Sequence, residues 1–298
     1  MLRVPLSGRL AVSLAALLAA LVLALAAPGA GAEVYEPQVV GGEGVPSGKY
    51  PFIASIQSSR VDTPSGHFCG GTLIDRDSVL TAAHCAEVIG ARPSGSAPLY
   101  YRDVRVVVGR TLLRSDQGQV RRIESFSDIR IHPGYRNFAF DAAVINLDRP
   151  VGGIRPVRLA TARQDFLERP GRMVTAAGWG NTVPQSLVDA FFGTGGLQIP
   201  NRMQEVSVPV VSDRLAQQTY GALDWPYVPR LMVAAGRSDL DTCQGDSGGP
   251  LFESTGGWYT QIGITSFGLG CGVLNYPGVY AEVNAPKIRS FIVRAAGL

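Results

Sequence analysis

One serine lies inside a run rich in glycine, Asp241-Thr-Cys-Gln-Gly-Asp-Ser-Gly-Gly-Pro250. Because glycine and proline are disfavoured inside helices and central strands, this run predicts a tight loop. Backbone N–H groups that point out of such a loop can bind the oxyanion that forms when a serine attacks a carbonyl carbon. Ser247 is therefore a candidate nucleophile. An ordinary surface turn is the alternative.

A serine needs a general base to become a strong nucleophile. The chain has three histidines, His67, His84 and His132, and all of them precede Ser247. This order excludes the α/β-hydrolases, in which the histidine follows the serine and the acid. His84 has the best setting because it ends an apolar run beside Cys85, where a disulfide would hold it, whereas His67 is predicted to lie in a loop. A buried histidine that bonds only to backbone is the alternative for His84.

The acid that completes such a site is predicted at Asp141, which heads the apolar run 142–147. A carboxylate in this position is costly to bury unless it has a dedicated partner. A histidine is one such partner and a salt bridge is another. The residues thus allow a Ser–His–Asp triad of Ser247, His84 and Asp141.

The elements that must position these residues are short apolar or alternating runs separated by Gly, Pro, Ser and Asp, which predicts an all-β protein. The predicted strands cover residues 52–57, 71–74, 78–83, 104–108, 123–131, 142–147, 173–178, 205–211, 231–234, 259–267 and 279–283. Two helices are predicted, one after Ser212 and one from Asn284. The second helix has Ile288, Phe291 and Ile292 on one face.

Residues 1–32 have the pattern of a signal peptide. Two arginines precede an apolar run over residues 10–27, and residues 30–32 offer small side chains for cleavage. A transmembrane anchor is the alternative, because the apolar run is long. Removal of residues 1–32 would leave residues 33–38 as a short pro-segment. We therefore expect a secreted, extracellular protein without a stable membrane anchor.

The net charge of +3 is too small to indicate binding to nucleic acid. Four cysteines in an exported chain predict two disulfides, for which three pairings are possible. Proximity in sequence favours Cys69–Cys85 and Cys243–Cys271. Since the chain has no C-x-x-C pair, the cysteines do not indicate a zinc site.

Taken together, these residues resemble the trypsin-like serine proteases of the chymotrypsin fold. The matching motifs are Val39-Val-Gly-Gly42, Thr81-Ala-Ala-His84-Cys85, Asp141 with the run after it, Gly178-Trp-Gly180, Gly245-Asp-Ser-Gly-Gly-Pro250, and Ser266-Phe-Gly268 with Pro277-Gly-Val-Tyr280. Export with a short pro-segment resembles the trypsins of bacteria, in particular actinomycetes. The resemblance implies two packed six-stranded antiparallel Greek-key barrels, at about residues 39–150 and 151–284, and a C-terminal helix at about 285–296.

The resemblance also implies a function, which is the hydrolysis of peptide bonds after Arg or Lys through an acyl-enzyme. In that mechanism Ser247 is the nucleophile, His84 transfers the proton and Asp141 orients the imidazole. The backbone N–H groups of Gly245 and Ser247 form the oxyanion hole. The implied substrate-binding residues are Asp241 at the base of the primary pocket, Ser266, Phe267, Gly268 and Gly278. The partners are protein or peptide substrates and proteinaceous protease inhibitors, and we expect a monomer. A catalytically silent homologue that serves as a secreted binding protein is the alternative, although every triad position is filled.

The resemblance further implies activation by cleavage, after which the new α-amino group of Val39 pairs with Asp246. Gln38 precedes Val39 where animal precursors have Arg or Lys. Activation by trypsin itself is therefore not expected. Residues 110–122 carry arginines where the family's calcium loop has glutamates, so we expect neither a metal site nor a cofactor.

Overall fold

The fold is described from a computed structural model, which covers residues 42–92, 97–183, 189, 196–223, 225, 227–237, 242–270, 272–273 and 275–298. The predicted signal peptide and pro-segment lie outside the described residues. So do three of the predicted site residues, Val39, Asp241 and Cys271.

The described chain consists mainly of short strands. In chain order these are β1 (Glu43–Gly44), β2 (Ile53–Ser58), β3 (His67–Asp75), β4 (Ser78–Thr81), β5 (Ile89–Gly90), β6 (Leu99–Tyr100), β7 (Val104–Val108), β8 (Gln119–Arg122), β9 (Ile129–Ile131), β10 (Ala143–Asn146), β11 (Arg158–Leu159), β12 (Met173–Gly178), β13 (Gln204–Val211), β14 (Met232–Ala235), β15 (Pro250–Thr255), β16 (Trp258–Phe267) and β17 (Gly278–Glu282). The α-helices are α1 (Ala83–Glu87), α2 (Asp213–Gly221) and α3 (Pro286–Ala296). Turns of 3-10 helix lie at Pro64–Gly66, Tyr101–Asp103, Phe126–Asp128 and Ala162–Glu168.

The strands form two main antiparallel sheets. The first sheet has the order β8-β7-β2-β3-β4-β10-β9 and stays open among the described pairings. The second has the order β13-β12-β15-β16-β17-β14, and pairing of β14 with β13 closes it into a six-stranded barrel. The predicted all-β chymotrypsin-like fold is confirmed, with the second barrel closed and the first one open.

Aromatic side chains join the two sheets. Phe52 precedes β2 and Phe252 lies on β15, and their ring centroids are 5.5 Å apart. Both side chains are almost fully buried in the main core. Replacing either by Ala would cost about 3–5 kcal/mol of unfolding free energy. This contact therefore helps to fix one sheet against the other, and the candidate site depends on residues from both.

The C-terminal helix α3 has the predicted apolar face, because Ile288, Phe291 and Ile292 are buried. Pro286 occupies its first turn, where a missing N–H costs little. Gly297 ends the helix with a φ of 72°, the left-handed conformation common after a helix. Within the described residues no helix has the length and hydropathy that a membrane span requires.

Two predicted strands are shorter in the structure, and several observed strands, among them β15, were not predicted. The strand predicted at 78–83 ends at Thr81, because the chain turns into α1, which carries His84. The strand predicted at 123–131 is short, because a turn of 3-10 helix precedes Ile129. Strand β15 was not predicted, because Pro250 reads as part of a loop. Pro250 is its first residue, a position that proline tolerates in a sheet.

Candidate active site

The loop that carries Ser247 is anchored to both sheets. The carbonyl of Ser247 accepts a hydrogen bond of 2.8 Å from the N–H of Gly70 on β3. The N–H of Gly248 donates a bond of 2.8 Å to the carbonyl of Thr265 on β16. Because both neighbours of the loop are strands, the half-buried Ser247 is held on a rigid base.

Gly245 has a conformation that few other residues adopt. Its φ is 100°, and a Cβ atom added there would lie 3.2 Å from the carbonyl oxygen of Trp179 and 3.3 Å from Gly180. Glycine is thus required by backbone strain and by lack of space. The predicted oxyanion donors, the N–H groups of Gly245 and Ser247, both belong to this loop.

His67 is buried behind the loop and binds it. Its Nε2 lies 3.0 Å from the carbonyl oxygen of Gly245, and its Nδ1 lies 2.8 Å from Ser55 Oγ. Gln57 donates to Ser55 Oγ, so the Ser55 hydroxyl is free to donate to Nδ1. Burial lowers the pKa of His67 to about 4, against the hydrogen bond to Gly245, which raises it. The ring is therefore neutral at pH 7 and donates through Nε2.

The sequence analysis placed His67 in a loop and assigned it no role, which was wrong about its position. His67 is the first residue of β3 and only 1% exposed. Residues 68–74 that follow it are apolar apart from glycine and one threonine, and this run could have extended the strand predicted at 71–74 back to His67.

His84 and Asp141 are brought together as the triad prediction requires. Asp141 Oδ2 lies 2.8 Å from His84 Nδ1, and Asp141 Oδ1 accepts a bond of 2.9 Å from the His84 backbone N–H. The carboxylate of Asp141 is fully buried. Ser266 Oγ donates a third hydrogen bond, of 2.5 Å, to Asp141 Oδ2. A ring that donates from Nδ1 has an unprotonated Nε2, the form that a general base requires.

Ser247 and His84 open onto one cavity of about 300 Å³. Its lining residues are His84, Phe138, Trp225, Thr242, Cys243, Gln244, Ser247, Thr265, Ser266, Phe267, Gly268, Gly270 and Gly278. The predicted substrate-binding residues 266–268 and Gly278 are all among them. Asp241 lies outside the described residues, but its neighbour Thr242 lines the cavity.

Two aromatic residues of this cavity were missed from sequence. The ring centroid of Phe138 lies 5.8 Å from that of His84 and 5.1 Å from that of Phe267. The ring centroid of Trp225 lies 6.0 Å from that of Phe267. These contacts join four separate parts of the chain, so local sequence could not reveal them.

Asp246 is buried beneath the loop, only 3% exposed. Its carboxylate accepts backbone hydrogen bonds from Gly180, at 2.8 Å, and from Cys243, at 3.0 Å. Burial raises the pKa of Asp246 to about 6, and these two hydrogen bonds oppose the rise. A Cβ atom at Gly180 would lie 2.0 Å from Asp246 Oδ2, which explains the glycine there. The proposed cationic partner, Val39, lies outside the described residues.

One predicted disulfide is confirmed, and the other involves a cysteine that lies outside the described residues. Cys69 on β3 and Cys85 on α1 are bonded, with their Cα atoms 6.2 Å apart. This bond fixes the residue next to His84. Cys243 is also in a disulfide. Its predicted partner, Cys271, lies outside the described residues.

Comparison with known families matches residues 39–292 to the family described as Trypsin. The chain belongs to the trypsin family. Membership of this family makes the protein a trypsin-like serine protease, which is a serine endopeptidase. All the described site residues discussed above fall inside the matched range.

Individual relatives agree with this assignment. A trypsin from Saccharopolyspora erythraea is 38% identical over 83% of this chain and 94% of its own length. A trypsin-like protease from Streptomyces glaucescens is 32% identical over 89% of this chain and 85% of its own length. A venom peptide isomerase heavy chain from Agelenopsis aperta is 32% identical over 83% of this chain and 96% of its own length. The predicted resemblance to actinomycete trypsins is thus confirmed.

Proposed function

We propose that this trypsin-family protein is a secreted endopeptidase that cleaves after Arg or Lys through an acyl-enzyme on Ser247. One observation carries the proposal: His84, which is bonded to the buried Asp141, lines the same cavity as Ser247. Nucleophile, base and orienting acid are the three groups that this chemistry needs.

In the proposed reaction Ser247 Oγ attacks the carbonyl carbon of the substrate while its proton passes to His84 Nε2. The N–H groups of Gly245 and Ser247 stabilise the resulting oxyanion. The C–N bond then breaks, and His84 protonates the leaving amine. Water attacks the acyl-enzyme with His84 again as base, which releases the acid and restores Ser247. Asp141 stays ionised and fixes the Nδ1–H tautomer of His84.

Specificity for Arg or Lys is assigned to the carboxylate of Asp241. Its neighbour Thr242 lines the cavity, and the two glycines Gly268 and Gly278 leave space in the wall. A Cβ atom at Gly268 would lie 3.8 Å from Cα of Gly278, so a larger side chain at either position would narrow the entry. The backbone of residues 266–268 would pair with the extended substrate.

Activation follows from the buried Asp246. A buried carboxylate that lacks a cation is costly, and here burial already raises its pKa. Removal of residues 1–38 would supply the α-amino group of Val39 as that cation. We also propose that the protein is exported, that its two barrels divide near residue 150, and that it is a monomer. The division is supported by sheet membership, since β2–β4 and β7–β10 form the first sheet and β12–β17 the second.

A fluorophosphonate probe tests the proposal directly, because it reacts only with an activated serine. The chain beginning at Val39 should be labelled at Ser247, as located by mass spectrometry, and Ser247→Ala should not be labelled. Ser254→Ala, which removes an exposed serine of β15, is the matched control and should be labelled like the wild type. A folded wild-type protein without label would mean that this chain is a silent homologue.

A further inference from the structure

A second cavity, of about 330 Å³, lies outside the proposed active site. Its lining residues are Phe140, Val228, Arg230, Leu231, Pro286 and Lys287. None of them lines the cavity of Ser247. The walls are almost entirely apolar, whereas Arg230 and Lys287 are exposed and carry the charge. We call this cavity the basic pocket.

The basic pocket adjoins the active-site cavity along two chain segments. Phe138 lines the active-site cavity and Phe140 lines the basic pocket. In the same way, Trp225 lines the first and Val228 the second. Because two or three residues span at most about 11 Å, the two cavities are neighbours, and a polypeptide bound at Phe138 and Trp225 needs only a few more residues to reach the basic pocket.

The two charged side chains that line this pocket, Arg230 and Lys287, are both cations. Within the described part of the chain, neither Arg230 nor Lys287 has a carboxylate within salt-bridge distance. Helix α3 begins at the pocket, and its first turn has no acidic residue and no side-chain cap. The charges of Lys287 and Arg294 also contribute to a lowered pKa of the nearby His132, together with the larger effect of burial. An anionic group would thus be attracted here.

We propose that the basic pocket binds a segment of the protein substrate in which one apolar side chain is flanked by carboxylates. This inference rests on the proposed function, since it names a substrate feature that is recognised beyond the cleaved bond. The apolar side chain would fill the space between Phe140, Val228 and Leu231. The flanking carboxylates would pair with Arg230 and Lys287 at the rim, where each exposed pair contributes modestly.

Binding of a substrate segment in the basic pocket should act mainly on KM. The floor of the pocket is rigid, because Phe140 stacks on His132 with centroids 4.6 Å apart and His132 contacts Phe291 at 4.9 Å. A rigid pocket gains affinity without rearranging the reacting groups. The docking segment should therefore bind equally in the ground state and in the transition state, which lowers KM and leaves kcat unchanged.

The test compares a short fluorogenic arginine peptide with the same peptide extended by Leu-Asp-Asp-Asp through a Gly-Ser linker, placed on either side of the arginine. Lys287→Glu should raise KM for the extended peptide about tenfold and leave the short peptide unchanged, because an attraction becomes a repulsion. Arg114→Glu changes the net charge equally at a distant exposed site and should change neither peptide. Replacing Leu by Ser in the extension should raise KM with the wild type.

An equal rise in KM for Lys287→Glu and Arg114→Glu would show that the effect depends only on net charge and would overturn the proposal. So would an extended peptide that binds no better than the short one. Failure of the proposed function is distinguishable, because the short peptide would then not be cleaved. In that case, fluorescence anisotropy of the labelled extension with the Ser247→Ala protein still tests the basic pocket. Binding that is weakened by Lys287→Glu would support the proposal, and absence of binding would refute it.

Discussion

His67 donates a hydrogen bond of 3.0 Å from Nε2 to the carbonyl oxygen of Gly245. A residue of the first sheet thereby fixes the carbonyl of Gly245, and the N–H of the same glycine is a candidate oxyanion donor. His67 touches no substrate, so it is a positioning residue that acts through the loop.

Replacing His67 by Phe should lower kcat about fivefold on an arginine substrate and leave KM nearly unchanged, because one net hydrogen bond of about 1 kcal/mol no longer orients the loop. The Phe ring keeps the contact with Trp179, which lies 5.4 Å from the His67 ring. Thr72→Val is the control, since it removes a buried hydrogen bond to Gln261 in which no residue of the loop takes part. An equal fall of kcat in both variants would show that only stability was lost.

Ser247→Ala and His84→Ala should each lower kcat by several orders of magnitude, on the order of 10⁶, and the double variant should be little worse. The reason is that attack by Ser247 requires proton transfer to His84, so the loss of either residue already stops this step. Single-turnover kinetics on an ester substrate would measure the three variants. Losses that multiply would mean that the two residues do not act as a unit.

An uncleavable extension ahead of Val39 should leave the protein folded but nearly inactive. Without a free α-amino group, Asp246 lacks its proposed cation and the loop is not ordered for catalysis. A cleavable form of the same extension should regain activity once an added protease removes it. Full activity of the uncleavable form, confirmed intact by mass spectrometry, would contradict this mechanism.

The same ion pair predicts how activity depends on pH. An α-amino group has an ordinary pKa of about 7.7–8.0, and pairing with Asp246 should raise it. Activity of the mature protein should therefore persist through neutral pH and fall in the alkaline range, as the amine loses its proton. A pH profile of kcat/KM with no alkaline fall would leave the pair without a catalytic role.

Glu168 should make stability fall as pH rises. Burial, followed by the charges of Glu282, Asp165 and Asp213, raises the pKa of Glu168 to about 9, from an ordinary value of 4.5. Between these values the folded protein holds a proton that the unfolded chain releases, so the free energy of unfolding decreases with pH.

Glu168→Gln removes this titration. The variant should match the wild type near pH 4 and exceed it by several kcal/mol at pH 9. Urea unfolding at both pH values measures the difference in the free energy of unfolding. The buffer should contain a chelator, because a bound cation would offset the repulsion between Glu168 and the neighbouring carboxylates. Glu124→Gln, at an exposed site, should show no such trend. A pH-independent difference for Glu168→Gln would refute the assignment.

The sequence predicted the parts of the site that local motifs encode. The glycine loop around Ser247 was predicted because its backbone conformation needs glycine, as the φ of 100° at Gly245 illustrates. The pairing of Asp141 with His84 was proposed because a buried carboxylate needs a partner. Most strands were predicted within a few residues, because their alternation reflects burial.

What the sequence did not predict depends on contacts between distant segments. Ser266 was expected to bind substrate with its backbone, and its hydroxyl on Asp141 appears only once β16 lies beside residue 141. Phe138 and Trp225 likewise become site residues only through the folded chain. Strand β15 was hidden by Pro250, a residue that usually ends strands.

The central claim is that Asp241 and Ser247 make this protein a protease for Arg and Lys bonds, and a cleavage-site profile tests it most directly. The mature chain would be incubated with a mixed peptide library and the products identified by mass spectrometry. We predict cleavage after Arg and Lys by the wild type, and loss of most of that cleavage in Asp241→Ser, which should still be labelled at Ser247 by a small acylating probe. Cleavage after aromatic residues, or an unchanged Arg and Lys preference in Asp241→Ser, would contradict the account.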